Sequence, residues 1–180
     1  MENFDIIFQQ ATENIESEFY QLPVAGKEDP IYRERVYCYE LYHQLRSLWP
    51  IGTEYTLSGE VDKKGHPLIR NNGLDDKKPD FLIHVPGNMG QNYLVVEVKQ
   101  INTDRREIFK DLKTLTAFRL HGQYQRAILL FYGLLDEGFD KIRTTVNGIV
   151  NNEGVDLVRR KLIELWHHPA PATIVQNENW

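Results

Sequence analysis

The chain has 180 residues, of which 41% are hydrophobic and 26% charged, with a formal net charge of −5; this fits one globular domain able to bury a sizeable core. The acidic balance argues against broad nonspecific attachment to nucleic acid, which strengthens with each phosphate neutralised, while leaving room for a local basic face. Three further classes are disfavoured: the longest apolar run, 127–132, is far short of the roughly 20 residues that cross a bilayer, the lone Cys38 excludes an internal disulfide or a multi-cysteine zinc site, and the start, MENFDIIFQQATE, lacks the basic flank and apolar run of a signal peptide. A cytoplasmic protein with no membrane segment is expected.

Phe4, Ile7, Phe8, Ala11, Ile15 and Phe19 recur at helical spacing, which predicts an amphipathic helix over 3–20. A loop follows over 22–28. Asp29-Pro30 then offers an N-cap and a proline at the first helical position, so a second helix is expected to start there and to end before Pro50. Residues 54–61, and more weakly 67–70, read as strands around a Lys63-Lys64-Gly65 turn. The stretch 71–78 carries Asn-Asn-Gly and Asp-Asp-Lys-Lys, which is turn chemistry. Residues 81–85 and 93–99 read as strands joined by a turn over 86–91. Ile108, Leu112, Leu115 and Phe118 set a helix over 104–120. The nearly continuous apolar run at 126–132 predicts a strand buried on both faces. Two more helices are predicted near 136–151 and 155–167, with a frayed tail from Pro169 apart from a docked Trp180.

This order predicts a single α/β domain over 1–180. Its core, about 30–132, is a mixed sheet built from a three-strand meander, a right-handed crossover helix and a further strand, flanked by helices. The helix over 3–20 and the helices over 136–167 are additions to that core.

One strand carries an anomaly. In NYLVVEVKQI, 92–101, alternate side chains share a face, so Val95, Glu97 and Lys99 point one way and Leu94, Val96 and Val98 the other. A carboxylate and an ammonium among valines cost desolvation energy unless something offsets it. Upstream, Lys78-Pro79-Asp80-Phe81 puts Asp80 at the start of the preceding strand, from which it can approach Glu97 across a hairpin. Two carboxylates converging beside a lysine would repel each other unless a divalent cation lay between them. Hard cations such as Mg²⁺ take oxygen ligands, often one or two carboxylates with waters and a substrate phosphate. The lysine would then hold or deprotonate the attacking water, or stabilise charge developing on the phosphate.

Pro79-Asp80, a gap of 16 residues, then Glu97-Val98-Lys99 resembles the PD-(D/E)xK motif of the restriction-endonuclease-like nuclease superfamily. The resemblance covers about residues 30–132. It implies a restriction-endonuclease-like fold and a Mg²⁺-dependent (or Mn²⁺-dependent) deoxyribonuclease in restriction, repair or host defence, an endonuclease rather than an exonuclease. It further implies that Asp80 and Glu97 bind the metal, that the Val98 carbonyl is a further ligand, and that Lys99 is the catalytic lysine. Many members add a glutamate from the helix before the meander. Glu34 and Glu40 are both available, about 120° apart on a helix. Glu34 is preferred because it falls in phase with Tyr37, Cys38, Leu41 and Leu45, the stripe expected to face the sheet.

Lys63, Lys64, Lys77 and Lys78 flank strands that lead to the proposed site and, with Arg105, Arg106 and Gln100, are the candidate nucleic-acid contacts. The acidic chain is expected to need a homodimer or a protein partner for targeting. The plain alternatives stand beside this reading. Glu97 and Lys99 could form a surface pair on an edge strand, worth roughly 0–1 kcal/mol. His167-His168 reads as a cation at a helix C-terminus rather than a metal site. Tyr32, Tyr37, Tyr42 and Tyr55 read as core or rim aromatics. The competing function is a catalytically silent nuclease-fold module that binds nucleic acid or a protein partner.

Overall fold

A computed structural model of the chain describes residues 3–60, 74, 77–135, 138–154 and 157–179. The elements are α1 (Phe4–Glu13), α2 (Ser17–Tyr20), α3 (Glu34–Ser47), β1 (Thr56–Gly59), β2 (Phe81–His84), β3 (Asn92–Gln100), α4 (Arg105–Leu120), β4 (Arg126–Tyr132), α5 (Gly138–Glu153), β5 (Glu164–His168) and β6 (Gln176–Asn179). The six strands form one mixed sheet in sequence order. β1, β2 and β3 are an antiparallel meander, β3, β4 and β5 are parallel, and β6 is antiparallel to β5.

Alternation along the strands divides the core into two layers. Leu94, Val96 and Val98 of β3, with Ile128, Leu130 and Tyr132 of β4, pack beneath α1 and α3. Val95, Ala127, Leu129 and Phe131 face the other way, against Ile108, Leu112 and Leu115 of α4 and Val146 and Ile149 of α5. β4 is therefore covered on both sides, as its apolar run predicts. No helix among the described residues is long and apolar enough to cross a membrane.

Four boundaries differ from expectation, each for a local reason. The first helix ends at Glu13, capped by Asn14, and Glu16 is extended (φ −74°, ψ 162°). Ile15 still buries, but beyond the break Tyr20 takes the core position expected of Phe19, which is only partly buried. The second helix starts at Glu34 and not after Asp29-Pro30. Ile31 exchanges backbone hydrogen bonds with Leu22 (2.8 and 3.0 Å), so the Asp-Pro pair closes a small hairpin instead. The expected strand at 67–70, the Lys63-Lys64 turn and Trp180 lie outside the described residues.

The last two corrections concern the carboxyl-terminal third. Residues expected to form a helix over 155–167 give a short 3₁₀ turn, Arg160–Leu162, and then β5. A strand buried on both faces, as β4 is, leaves a polar backbone edge that must be paired, and Leu165-Trp166 supply that neighbour. The tail is not frayed either. It forms β6 on β5, and Val175 N–H donates to Thr12 Oγ1 (3.1 Å) while Ala172 N–H donates to the Ile15 carbonyl (2.9 Å).

His167 and His168 accordingly sit in a central strand and not at a helix end. His168 Nδ1 meets Tyr37 Oη at 2.9 Å, and Tyr20 Oη donates to the His168 carbonyl at 2.9 Å. Burial, and then the neighbouring His167, push the His168 pKa down from 6.5 to about 4. As pH falls from 6.5 toward 4 the unfolded chain therefore takes up the proton first and stability drops; above 6.5 His168 imposes no such penalty. Denaturant melts across this window should show His168→Gln with a shallower loss than wild type, by up to roughly 3 kcal/mol at the acid end. Equal slopes would show that His168 titrates normally.

Candidate active site

The anomalous strand lies in the middle of the sheet. β3 has β2 on one side and β4 on the other, so Glu97 and Lys99 are not a pair on an edge strand. They are 7% and 8% exposed, too buried to be carried by water. Both point to the α4 face, near the carboxyl end of β3. In open α/β sheets this end is where ligands bind.

Three further carboxylates reach the same place. Asp80 immediately precedes β2, which runs antiparallel to β3, so it sits at the same end of the sheet. Its Oδ2 accepts a 2.7 Å hydrogen bond from Val98 N–H. The N–H and C=O of one strand residue point toward the same neighbour, so the Val98 carbonyl shares the Asp80 side. Glu34, at the first turn of α3, reaches Lys99 Nζ with Oε1 at 3.0 Å. Asp111 of α4 approaches the same ammonium at 3.2 Å with Oδ2, an atom that makes no well-directed hydrogen bond.

Together with Lys77, Lys78, Glu107, Lys110 and Thr114, these groups line a cleft of about 330 Å³. The spacing argument placed Asp80, Glu97, Lys99 and Glu34 here, and all four line it. Glu40 does not; it accepts from Gln44 Nε2 at 2.6 Å on the outer side of α3. Lys77 and Lys78 stand at the cleft. Gln100 does not reach it, because it falls on the opposite face of β3 from Lys99. Arg105 and Arg106 are exposed on the first turn of α4, away from the lining. Lys63 and Lys64 lie outside the described residues. Asp111 and Lys110 were missed as site residues. The signal for Asp111 was present: it falls three residues after Ile108 and four before Leu115, so an acid occupies the apolar stripe of α4.

The electrostatics follow from crowding. Burial, opposed by the Val98 N–H and Lys99, raises the Asp80 pKa from 3.8 to about 6. Glu97 is raised well above its ordinary value, by burial first and then by Asp111 and Asp80. Asp111 is raised as well, by burial, with Lys99 opposing. Burial would lower the pKa of Lys99, but Asp111 and Glu34 together outweigh it and raise it above the usual lysine value. The cleft thus holds a firmly protonated lysine and more carboxylate than that lysine neutralises.

Comparisons with protein-family models, curated proteins and solved structures find no match. The functional reading therefore rests on the cleft itself.

The donor set suits a hard divalent cation: buried Glu97 on β3, half-buried Asp80 immediately before the adjacent strand, and a backbone carbonyl beside them. Among the described residues no group of three or more His, Cys, Asp or Glu side chains is placed to hold a metal ion, so a cation here would have at most two carboxylates. An open pair of carboxylates is the arrangement Mg²⁺ uses when waters and a substrate phosphate complete its shell.

Crowding also makes a stability forecast. Asp80 has a folded pKa of about 6 against 3.8, so folding takes up a proton between these values and the metal-free protein loses stability as pH rises through them. Asp80→Asn removes the charge and keeps an acceptor for Val98 N–H. In EDTA at pH 7–8 that variant should be more stable than wild type by about 1–3 kcal/mol, with the gap closing toward pH 4. A variant less stable at every pH would mean that the carboxylate is well satisfied.

Proposed function

We propose that the protein is a metal-dependent nuclease that hydrolyses phosphodiester bonds, with DNA as the substrate, on a core of the restriction-endonuclease-like class. The observation that carries the reading is the convergence of half-buried Asp80 with buried Glu97 and Lys99 at one end of a central sheet, beside Lys77, Lys78 and Lys110. A buried carboxylate crowded by a second one next to a lysine is costly to fold, and it makes chemical sense where an anion and a cation meet. The resemblance of Pro79-Asp80 and Glu97-Val98-Lys99 to the PD-(D/E)xK motif and the strand order point the same way.

In this reading Asp80 and Glu97, with the Val98 carbonyl, hold Mg²⁺ or Mn²⁺. When bound, the ion lowers the pKa of a coordinated water and screens the charge on the phosphate under attack. The 3.0 and 3.2 Å contacts with Glu34 and Asp111 favour Lys99 as a positive charge over a base. Its ammonium stabilises oxygens whose charge grows in the transition state. Lys77, Lys78 and Lys110 hold flanking phosphates. The second reading, a silent nucleic-acid-binding module, draws on the 3.0 and 3.2 Å contacts that tie Lys99 to two carboxylates.

Incubating the protein with divalent ions and a panel of single-stranded, duplex and branched substrates separates the two. Cleavage is expected with Mg²⁺ or Mn²⁺ and to be poor with Ca²⁺. Calorimetry should show divalent binding that disappears in the Asp80→Ala, Glu97→Ala double variant. Lys99→Ala should be less stable than wild type, because Glu34 and Asp111 lose their counter-charge, yet still fold, bind metal and lose most turnover, by at least about 100-fold, with little change in affinity. Lys99→Arg should also lose most turnover, because the planar guanidinium presents its charge and donors in a different geometry. Full activity in either lysine variant would remove Lys99 from the chemistry, and binding without cleavage under every condition would favour the silent module.

A further inference from the structure

Asp80 lines a second recess as well as the acidic cleft. This recess, of about 240 Å³, is bounded by Cys38, Tyr39, Tyr42, Gly59, Glu60 and Phe81, on the α3 side of β1 and β2. Three of its seven lining residues are aromatic: Tyr39, Tyr42 and Phe81. Tyr42 and Phe81 lie nearly parallel, 17° between ring planes with centroids 6.4 Å apart. Tyr39 stands 62% exposed at the rim, whereas Tyr37, two residues away, is fully buried. Gly59 keeps the recess open. A Cβ there would make ordinary contacts of 3.7 and 3.8 Å with the Tyr42 ring, so larger side chains would fill the space without straining the backbone.

We propose that this recess receives one unstacked base of a nucleic-acid strand whose neighbouring phosphate lies in the acidic cleft, so that the substrate is single-stranded or locally opened. The inference rests on the nuclease reading and adds the substrate class to it. Three observations choose the occupant. The recess adjoins the cleft through Asp80, so a chain whose phosphate is held by the lysines can place its next base there. Aromatic walls suit a planar ring, since base–aromatic stacking is strong and tolerant of sequence. The volume admits one ring system and no base pair, and bases inside a duplex have both faces already stacked.

The test is fluorescence anisotropy in Ca²⁺, where binding is read apart from cleavage, using a labelled 12-residue single-stranded oligonucleotide, its duplex, and a single strand carrying abasic sites. Wild type should bind the single strand at least about 10-fold more tightly than the duplex or the abasic strand. Gly59→Leu, which fills the recess, and Tyr39→Ala, which removes an exposed ring and so cannot unfold the core, should each weaken single-strand binding about 10-fold and leave duplex binding unchanged. Single-strand binding equal to wild type in both variants would overturn the proposal and leave the recess to a protein partner's aromatic side chain. Mg²⁺-dependent cleavage, measured in parallel, keeps the two ideas distinct. Undiminished single-strand cleavage in both variants overturns the recess and spares the nuclease reading. Variant-sensitive single-strand binding with no cleavage by any divalent ion supports the recess and overturns the catalytic reading.

Discussion

The Lys99 ammonium is the point at which three separate elements are tied together. Glu34 reaches it from α3 on one side of the sheet and Asp111 from α4 on the other, while the lysine itself is fixed on β3. Removing that charge would leave buried carboxylates facing one another in a low-dielectric cleft, at a cost of several kcal/mol. The lysine alone does not balance the set, because Asp80 and Glu97 are still pushed toward their protonated forms. A cleft built with surplus negative charge and open to solvent is suited to capture a cation, and the rim of Lys77, Lys78 and Lys110 is suited to an anion.

The sheet explains why these groups can be held so. β3 is central, and its flanking strands supply two rows of backbone partners that a buried charged strand needs. β2 runs against it, which brings the residue before β2 to the end of β3 and lets Asp80 cap the Val98 N–H. β4 and β5 run with β3, so α4 and α5 both cover the face from which Glu97 and Lys99 project. The charged groups are therefore confined to one corner, and the far face is left to hydrophobic packing and the Tyr20, Tyr37 and His168 cluster.

Much of this corner was legible because it broke a rule. Glu97 and Lys99 interrupt an apolar strand, and period-two alternation alone puts them on one face. The choice of Glu34 over Glu40 followed from the phase of Tyr37, Cys38, Leu41 and Leu45, all of which are buried. Asp111 was missed because its neighbours Ile108, Leu112 and Leu115 made the helix look ordinary, and one acid in a stripe is a weak signal until its partner is known. Gln100 was misplaced by proximity in sequence, since the strand turns successive residues to opposite faces. The carboxyl-terminal strands were illegible for a different reason. In VRRKLIELWHH, Val158, Leu162 and Trp166 are spaced as on a helix, and only the unpaired edge of β4 decides that Glu164–His168 extends as a strand.

The central claim is that the carboxylates of Asp80 and Glu97 are brought together to hold a divalent cation at a phosphodiester. Anomalous diffraction from crystals grown with Mn²⁺ tests it most directly. The account predicts a strong peak in contact with the carboxylates of both residues and on the Val98 carbonyl side, with Lys99 still bridging Glu34 and Asp111. A peak bound elsewhere, or none at the cleft at saturating Mn²⁺, would contradict it.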